Sequence, residues 1–239
     1  MEDVASLSLT AARSRPLATA DTRLLAIPGL PAGCFPEGGI RRGSTLRISL
    51  MPGGMSLALT LAAAATSDGA WAAAVGLPSL GLLAAVELGV RLERLALVPA
   101  PGERWAAVVA ALLDGMDVLL LGPPGRVRLA DARRLVARTR EQATVLVVLE
   151  SPGSRCWPEA TDLELSVAGA TWEGLGMGHG YLRSRLVEVV VTGRRAAARE
   201  RRTAMWLPDA ESAPAPVVPA PLVAGADLRL EAITAARVG

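Results

Sequence analysis

The sequence predicts an α/β protein built on a mainly parallel sheet, with helices on both faces and an antiparallel hairpin near its C-terminal end. Short, very apolar runs such as residues 117–121 and 144–149 are separated by segments of helical periodicity. This alternation is typical of parallel strands that are buried on both faces and joined by crossover helices. From residue 163 the pattern changes to two strand-like segments around the glycine-rich sequence GLGMGHG, which predicts the hairpin and places it at the far edge of the sheet.

The individual elements follow in order along the chain. Residues 45–49 (TLRIS) alternate like a short strand, and residues 56–65 (SLALTLAAAA), after a Pro-Gly-Gly turn, are rich in helix formers. Residues 128–141 have an amphipathic helical pattern, with apolar side chains on one side and arginines elsewhere. The other predicted strands are residues 70–75, 94–98, 117–121, 144–149, 163–172 and 181–192, and the other predicted helices are residues 80–88 and 103–113.

Length and composition suggest one core with appendages. The chain has 239 residues, of which 51% are hydrophobic, so it can bury one good core. We predict an N-terminal segment at residues 1–26 with a possible helix, a core at residues 27–209, and a Pro/Ala-rich linker and tail at residues 210–239.

Charge and cysteine usage narrow the class of protein. All 25 basic residues are arginine, which fits the coding bias of a GC-rich genome, and the net charge of +2 does not by itself indicate a nucleic-acid binder. Cys34 and Cys156 lack metal-ligand spacing. The chain opens without a signal-peptide pattern, and its apolar stretches are shorter than the roughly 18 residues of a membrane span. We therefore expect a cytoplasmic protein without a membrane partner.

Residues 49–56 (SLMPGGMS) lie where a phosphate-binding loop of the pattern GxxxxGK[ST] would connect a strand to its helix. Aligning Gly54 with the second glycine puts Ser49 on the first glycine, Met55 on the lysine and Ser56 on the magnesium-binding hydroxyl. The lysine normally neutralises phosphate charge. Losing two or three charge-assisted contacts removes about 5 kcal/mol, or roughly three to four decades of affinity. The loop alone equally fits a plain strand-to-helix turn.

Beyond this loop, several segments in sequence order resemble the RecA-type ATPase core. GGIRRG at residues 38–43 is similar to the turn that introduces the first strand of that family, and LGVRLERL at residues 88–95 matches a later segment. Residues 117–121 occupy the Walker B strand, and residues 149–151 occupy the strand end that carries the Asn-Gln sensor. The resemblance covers about residues 27–207 and implies a RecA-like P-loop core.

The same resemblance implies that the catalytic residues of the family are missing. Gly122 stands where the Walker B strand should supply a magnesium-holding aspartate, and Pro78 stands at the position of the catalytic glutamate. Together with Met55, these residues imply a pseudo-ATPase that uses no cofactor and no metal. The alternative is an enzyme with relocated catalytic residues. It would need another charged cluster near the loop, and the sequence analysis finds none.

Among small RecA-like proteins without ATPase motifs, the chain resembles the ImuA family, in particular its ImuA-prime branch. This resemblance implies a non-catalytic accessory protein of the SOS-induced translesion mutasome, associated with the nucleoid. The implied partners are an ImuB-like inactive homologue of Y-family polymerases and, indirectly, an error-prone C-family polymerase. The alternative function is a DNA-binding RecA paralogue that regulates recombination or filament assembly.

Two groups of arginines and one tryptophan are candidate contacts with DNA or with a protein partner. The arginines could neutralise phosphates, line a protein interface or form a solvated face. Trp206 is the tryptophan that we expect to anchor an interface, whereas His179 is expected to be a turn residue and not a base. The candidate arginines are Arg126, Arg128, Arg133 and Arg134 after the Walker B position, and Arg194, Arg195 and Arg199 after the last long strand.

Overall fold

The computed structural model of the protein describes residues 23–123, 125–175, 180–194, 197–208 and 215–216. Within these ranges the strands and α-helices follow one another as β1 (Leu24–Leu25), β2 (Ile40–Arg41), β3 (Thr45–Ser49), α1 (Gly54–Ser67), β4 (Ala72–Val75), α2 (Leu82–Glu87), β5 (Leu95–Val98), α3 (Trp105–Leu113), β6 (Val118–Leu121), α4 (Leu129–Gln142), β7 (Val145–Glu150), β8 (Leu163–Leu175), β9 (Gly180–Gly193), β10 (Arg201–Trp206) and β11 (Ala215–Pro216). Strands β1 and β2 form a small antiparallel pair, and the other nine strands form one sheet in the order β11-β10-β9-β8-β3-β7-β6-β4-β5.

The predicted α/β class, with its mainly parallel sheet and helices on both faces, is confirmed. Strands β3, β7, β6, β4 and β5 are parallel, and β8 extends this part on the other side of β3. Side chains along each strand alternate between the two faces. Ala74 and Leu120 pack with α1 and α2, whereas Val75, Leu119 and Val148 pack with α3 and α4. The apolar runs in the sequence are thus strands that are covered on both sides.

Strand β3 lies at the point where the order of the sheet reverses. From β3 the chain runs through α1 to β4, which lies on one side of β3 beyond β7 and β6 in the sheet. The chain later fills these two places with β6 and β7, and it then crosses to β8 on the other side of β3. In open α/β sheets, ligand sites form beyond the carboxyl ends of strands at such a switch point. The loop after β3 therefore occupies the position where a site is expected from topology alone.

The hairpin of β8 and β9 is antiparallel, as predicted, but the prediction that it closes the far edge of the sheet is wrong. Strand β10 pairs with β9, and β11 pairs with β10 at the edge. Strand β10 was not predicted, because its first residues, Arg201 and Arg202, belong to an arginine run that hides the strand pattern. Strand β11 falls in the predicted linker; the rest of residues 210–239 lies outside the described part, as do residues 1–22.

Residues 23–44 cover one face of the sheet next to β9 and β10. Ile27, Phe35 and Ile40 are buried there against Val187 and Met205. Cys34 is buried in the same cluster, and this burial raises the pKa of its thiol above the usual value. In the part of the chain that the structure describes, no helix is both long and apolar enough to cross a bilayer.

Candidate functional site

The loop between β3 and α1 folds back so closely on its strand that glycine is required. Gly53 has a φ of 101° and caps α1 without a side-chain hydrogen bond. A Cβ atom on Gly54 would lie 2.1 Å from the carbonyl oxygen of Ser49, and the Gly54 N–H donates to the carbonyl of Met51 at 2.7 Å. Only glycine therefore fits at position 54 of this tight turn.

The two side chains that follow this turn are committed to other contacts. Met55 is partly buried and packs against the core on the α1 face, at the position where a P-loop lysine would reach outward. The hydroxyl of Ser56, at the expected magnesium-binding position, accepts a hydrogen bond at 2.7 Å from Nη2 of Arg185. The hydroxyl of Ser56 is therefore already bonded to a protein cation.

Arg185 is the residue of this site that the sequence analysis missed. It comes from β9, only 8% of its surface is exposed, and its Nε donates to the carbonyl of Leu207 at 2.9 Å. Its guanidinium carbon lies 4.9 Å from the centre of the Trp172 ring, which is a cation–π contact. Within the described ranges it makes no ion pair, and burial lowers its pKa from the usual value. No local pattern links position 185 to the loop, because the contact joins residues far apart in sequence.

The two other expected catalytic positions are closed or exposed. A Cβ atom on Gly122 would lie 2.2 Å from the carbonyl oxygen of Gly76 and 2.9 Å from the Leu77 side chain. An aspartate at position 122 would require the ends of β6 and β4 to move apart. Pro78 is exposed in the turn after β4 and offers no acid. Neither position supplies a carboxylate.

A charged cluster does lie beside the loop, which corrects the expectation that there is none. It lines a cleft of about 270 Å³ at the carboxyl ends of β3 and β7. The ionic and hydroxyl side chains that line the cleft include Arg47, Ser49, Glu150, Ser151, Arg155 and Glu164. The sequence analysis could not find this cluster, because its charged residues come from β3, β7, β8 and the segment after β7.

Within this cluster the charges are largely matched. Nη1 of Arg47 lies 2.6 Å from Oε1 of Glu164. Nε of Arg47 lies 2.8 Å from Oε2 of Glu150, and these two atoms form an ion pair that lacks the alignment of a hydrogen bond. Glu150 is buried, and its other oxygen accepts the backbone N–H of Trp157 at 2.7 Å. Because both carboxylates already have cationic partners, the cluster mainly ties β3, β7 and β8 together.

Two of the four arginines of the first group are already paired. Arg133 contacts Glu159 at 3.1 Å, and Arg134 contacts Asp131 at 3.1 Å. Nearby, Arg138 and Arg140 also pair with acids, Asp114 and Asp162. Arg126 and Arg128 are exposed and make no ion pair with any described residue.

The second group meets the first at Glu159. The backbone N–H of Ala160, the Arg133 guanidinium and the charge of Arg194 together hold the pKa of Glu159 below its usual value. Arg194 and Arg199 are exposed. Arg195 and His179 lie outside the described residues. The structure thus brings members of both arginine groups to one side of the molecule.

Trp206 is held within the sheet. Only 8% of its surface is exposed, and on β10 it stands between Leu186 of β9 and Ala215 of β11. Among the described residues its ring is therefore largely covered, and its role as an interface anchor stays a prediction.

Fold and loop define a class of protein: an α/β core with a glycine turn at its switch point and no P-loop lysine. Residues 33–159, just over half of the chain, match the family described as the MT3502 N-terminal domain, and the chain belongs to this family. It is also 46% identical over 104 residues to a Mycobacterium tuberculosis protein named "Uncharacterized protein Rv3395c". That match covers 43% of this chain and 51% of the relative, so the chain spans about half the length of this curated protein.

Proposed function

We propose that the protein is a non-catalytic accessory factor of the SOS-induced translesion mutasome, built on a RecA-like core whose nucleotide site has been lost. The hydrogen bond from Arg185 to Ser56 carries this proposal, because it commits the hydroxyl at the expected magnesium-binding position to a protein cation. The close approach of Gly122 to Gly76 supports it, since it leaves no room for a Walker B acid.

The RecA-like assignment is supported by the position of the loop strand. Strand β3 lies inside the parallel sheet, is followed by a glycine turn and a helix, and shares the sheet with the expected Walker B strand β6. The mycobacterial relative supports the actinobacterial ImuA-prime branch.

Such a protein would act as a scaffold that does not switch with nucleotide. In P-loop proteins, the γ-phosphate and its magnesium ion hold mobile loops that are released on hydrolysis. Here the loop is held by Arg185, Met55 and the packing of Val167 against Gly53. We therefore expect the protein to bind an ImuB-like partner constitutively, and the C-family polymerase through that partner.

Affinity capture from DNA-damaged cells tests this function. We expect an ImuB-like protein to co-purify at physiological salt after nuclease digestion, because an adaptor contacts its partner directly. A parallel capture with the chain truncated before Asp209 measures how much the tail contributes. Loss of the ImuB-like protein on nuclease treatment would contradict the adaptor function.

The second candidate function is a DNA-binding RecA paralogue, which the exposed arginines that make no ion pair favour. Arg126, Arg128 and Arg194 are of this kind within the described residues. DNA binding through these arginines should weaken steeply as the salt concentration rises. A plot of the logarithm of the binding constant against the logarithm of the salt concentration should have a slope of about −0.9 for each phosphate contact. Replacing Arg194 and Arg195 by alanine should lower this slope, whereas Arg134→Ala, which removes an already paired arginine, should leave it unchanged.

A further inference from the structure

The cleft at the carboxyl ends of β3 and β7 keeps polar groups that the described residues leave without a full set of hydrogen bonds. The hydroxyls of Ser49 and Ser151 make no hydrogen bond with another described residue. The guanidinium of Arg155 lies 3.8 Å from Oε2 of Glu164, which is longer than a hydrogen bond. These groups can therefore bind a molecule that enters the cleft.

The carboxylate of Glu164 is fixed at one of its two oxygens. Arg47 lies opposite Glu164 in the pairing of β3 with β8, and its Nη1 donates to Oε1 of Glu164 at 2.6 Å. The other oxygen, Oε2, has only the long contact with Arg155 among the described residues. The cleft thus holds a positioned carboxylate oxygen that can accept a hydrogen bond, next to a guanidinium that can donate one.

Charge and size limit the kind of molecule that fits this cleft. Two arginines and two glutamates are among the described lining residues, so their charges balance. A ligand with charge of one sign would meet like charges as well as opposite ones, and the like charges weaken its binding. No apolar side chain is among the described lining residues, and the volume of about 270 Å³ is below the usual range for drug-sized ligands. A small ligand that carries both charges satisfies these conditions.

We propose that the cleft binds a small zwitterion of the chemical class of the free α-amino acids. The ammonium group of the ligand donates to Oε2 of Glu164, and its carboxylate accepts hydrogen bonds from Arg155 and from the hydroxyls of Ser49 and Ser151. Because Arg155 and Glu164 are neighbours, the two charges of the ligand must be close together, as they are on a single α-carbon. The contacts do not involve Arg185.

NMR titration of the nitrogen-15-labelled full chain with glycine tests this site, because glycine is the smallest α-amino acid and carries both charges. The backbone amide signals of Gly153 and Ser154, which line the cleft, report on binding. We expect these signals to shift to saturation with a dissociation constant of about 1–10 mM, since so small a ligand makes few contacts. N-acetylglycine lacks the ammonium charge and glycinamide lacks the carboxylate, so each should bind at least about tenfold more weakly.

Two arginine variants of similar exposure separate binding in the cleft from a general effect of surface charge. Arg155→Gln removes the proposed partner of the ligand carboxylate, whereas Arg133→Gln removes a charge outside the cleft; their side chains are 76% and 68% exposed. Arg155→Gln should raise the dissociation constant for glycine at least about tenfold, and Arg133→Gln should leave it within about twofold of wild type. Both variants should keep the circular dichroism spectrum of the wild type, because each loses only an exposed ion pair.

Ser151→Ala removes one hydroxyl of the cleft and should raise the dissociation constant for glycine about two- to fivefold, so that the result does not rest on one substitution. Three results would each overturn the proposal. These are no shift of the Gly153 and Ser154 signals up to roughly 100 mM glycine, equal or tighter binding of either singly charged probe, and wild-type affinity in Arg155→Gln.

Discussion

Two glycines determine opposite properties of the loop region. Gly54 preserves the turn, because any side chain there would collide with the carbonyl of Ser49. Gly122 removes a possible acid, because its backbone lies against that of Gly76. The sequence identified both positions by resemblance, but only the structure shows that their lack of a side chain is sterically required.

Replacing Gly54 by alanine should destabilise the protein by about 2–3 kcal/mol, since the clash is with backbone that cannot rotate away. Gly115→Ala is the matched control. Gly115 lies in the turn after α3, where an added Cβ atom would have no other atom within 4 Å. The free energy of unfolding of this variant should therefore stay within about 1 kcal/mol of wild type. Urea unfolding measures both. Equal midpoints for the two variants would show that the loop does not follow this path.

The contact between Arg185 and Ser56 should appear as an energetic coupling. A hydrogen bond to a charged group contributes about 1.5–3 kcal/mol. In a double-mutant cycle with Arg185→Met and Ser56→Ala, we therefore expect a coupling free energy of about 1–2 kcal/mol by urea unfolding. Additive effects of the two substitutions would contradict the assignment of Arg185 to the loop.

At the scale of elements, the charged cluster binds three strands across the switch point. Arg47 on β3 contacts Glu150 on β7 and Glu164 on β8, next to the start of the loop. The side chain of this one arginine thus links β3 to both β7 and β8, in addition to the backbone hydrogen bonds between these strands. Glu150 is buried and the side chain of Arg47 is only 12% exposed, so removing the charge of Glu150 leaves Glu164, whose side chain is 36% exposed, as the remaining close carboxylate of Arg47.

Glu150→Gln should therefore cost about 1.5–3 kcal/mol of stability, the usual contribution of a bond to a charged group, because Arg47 keeps its ion pair with Glu164. Asp131→Asn breaks the surface pair with Arg134 on α4 and should cost less than about 1 kcal/mol. Thermal or urea unfolding of the two variants gives the comparison. A loss below 1 kcal/mol for Glu150→Gln would show that the cluster does not hold the strands together.

The strands and helices of the parallel part were predictable because their apolar patterns are regular. The strand predicted at residues 144–149, for example, is Val145–Glu150 in the structure, and the helix predicted at residues 128–141 is Leu129–Gln142. Strand β10 was not predictable, since two arginines open it and its pairing with β9 is antiparallel and distant from the main pattern.

At the scale of the whole molecule, the candidate site is assembled across the switch point. The loop lies after β3, but Arg185 reaches it from β9, and Glu164 reaches the neighbouring cleft from β8. Sequence reasoning found the loop and the missing acids because these are local. It could not find Arg185 or the charged cluster, because side chains from distant strands meet only after the sheet has formed.

The central claim is that this loop no longer binds a magnesium nucleotide. Titration of the full chain with a fluorescent ATP analogue in the presence of Mg²⁺ tests it most directly. The loss of the charge-assisted contacts corresponds to about 5 kcal/mol, so we expect no saturation up to about 1 mM analogue. Binding of the analogue with a dissociation constant below about 100 μM, lost in the Gly54→Ala variant, would contradict this claim.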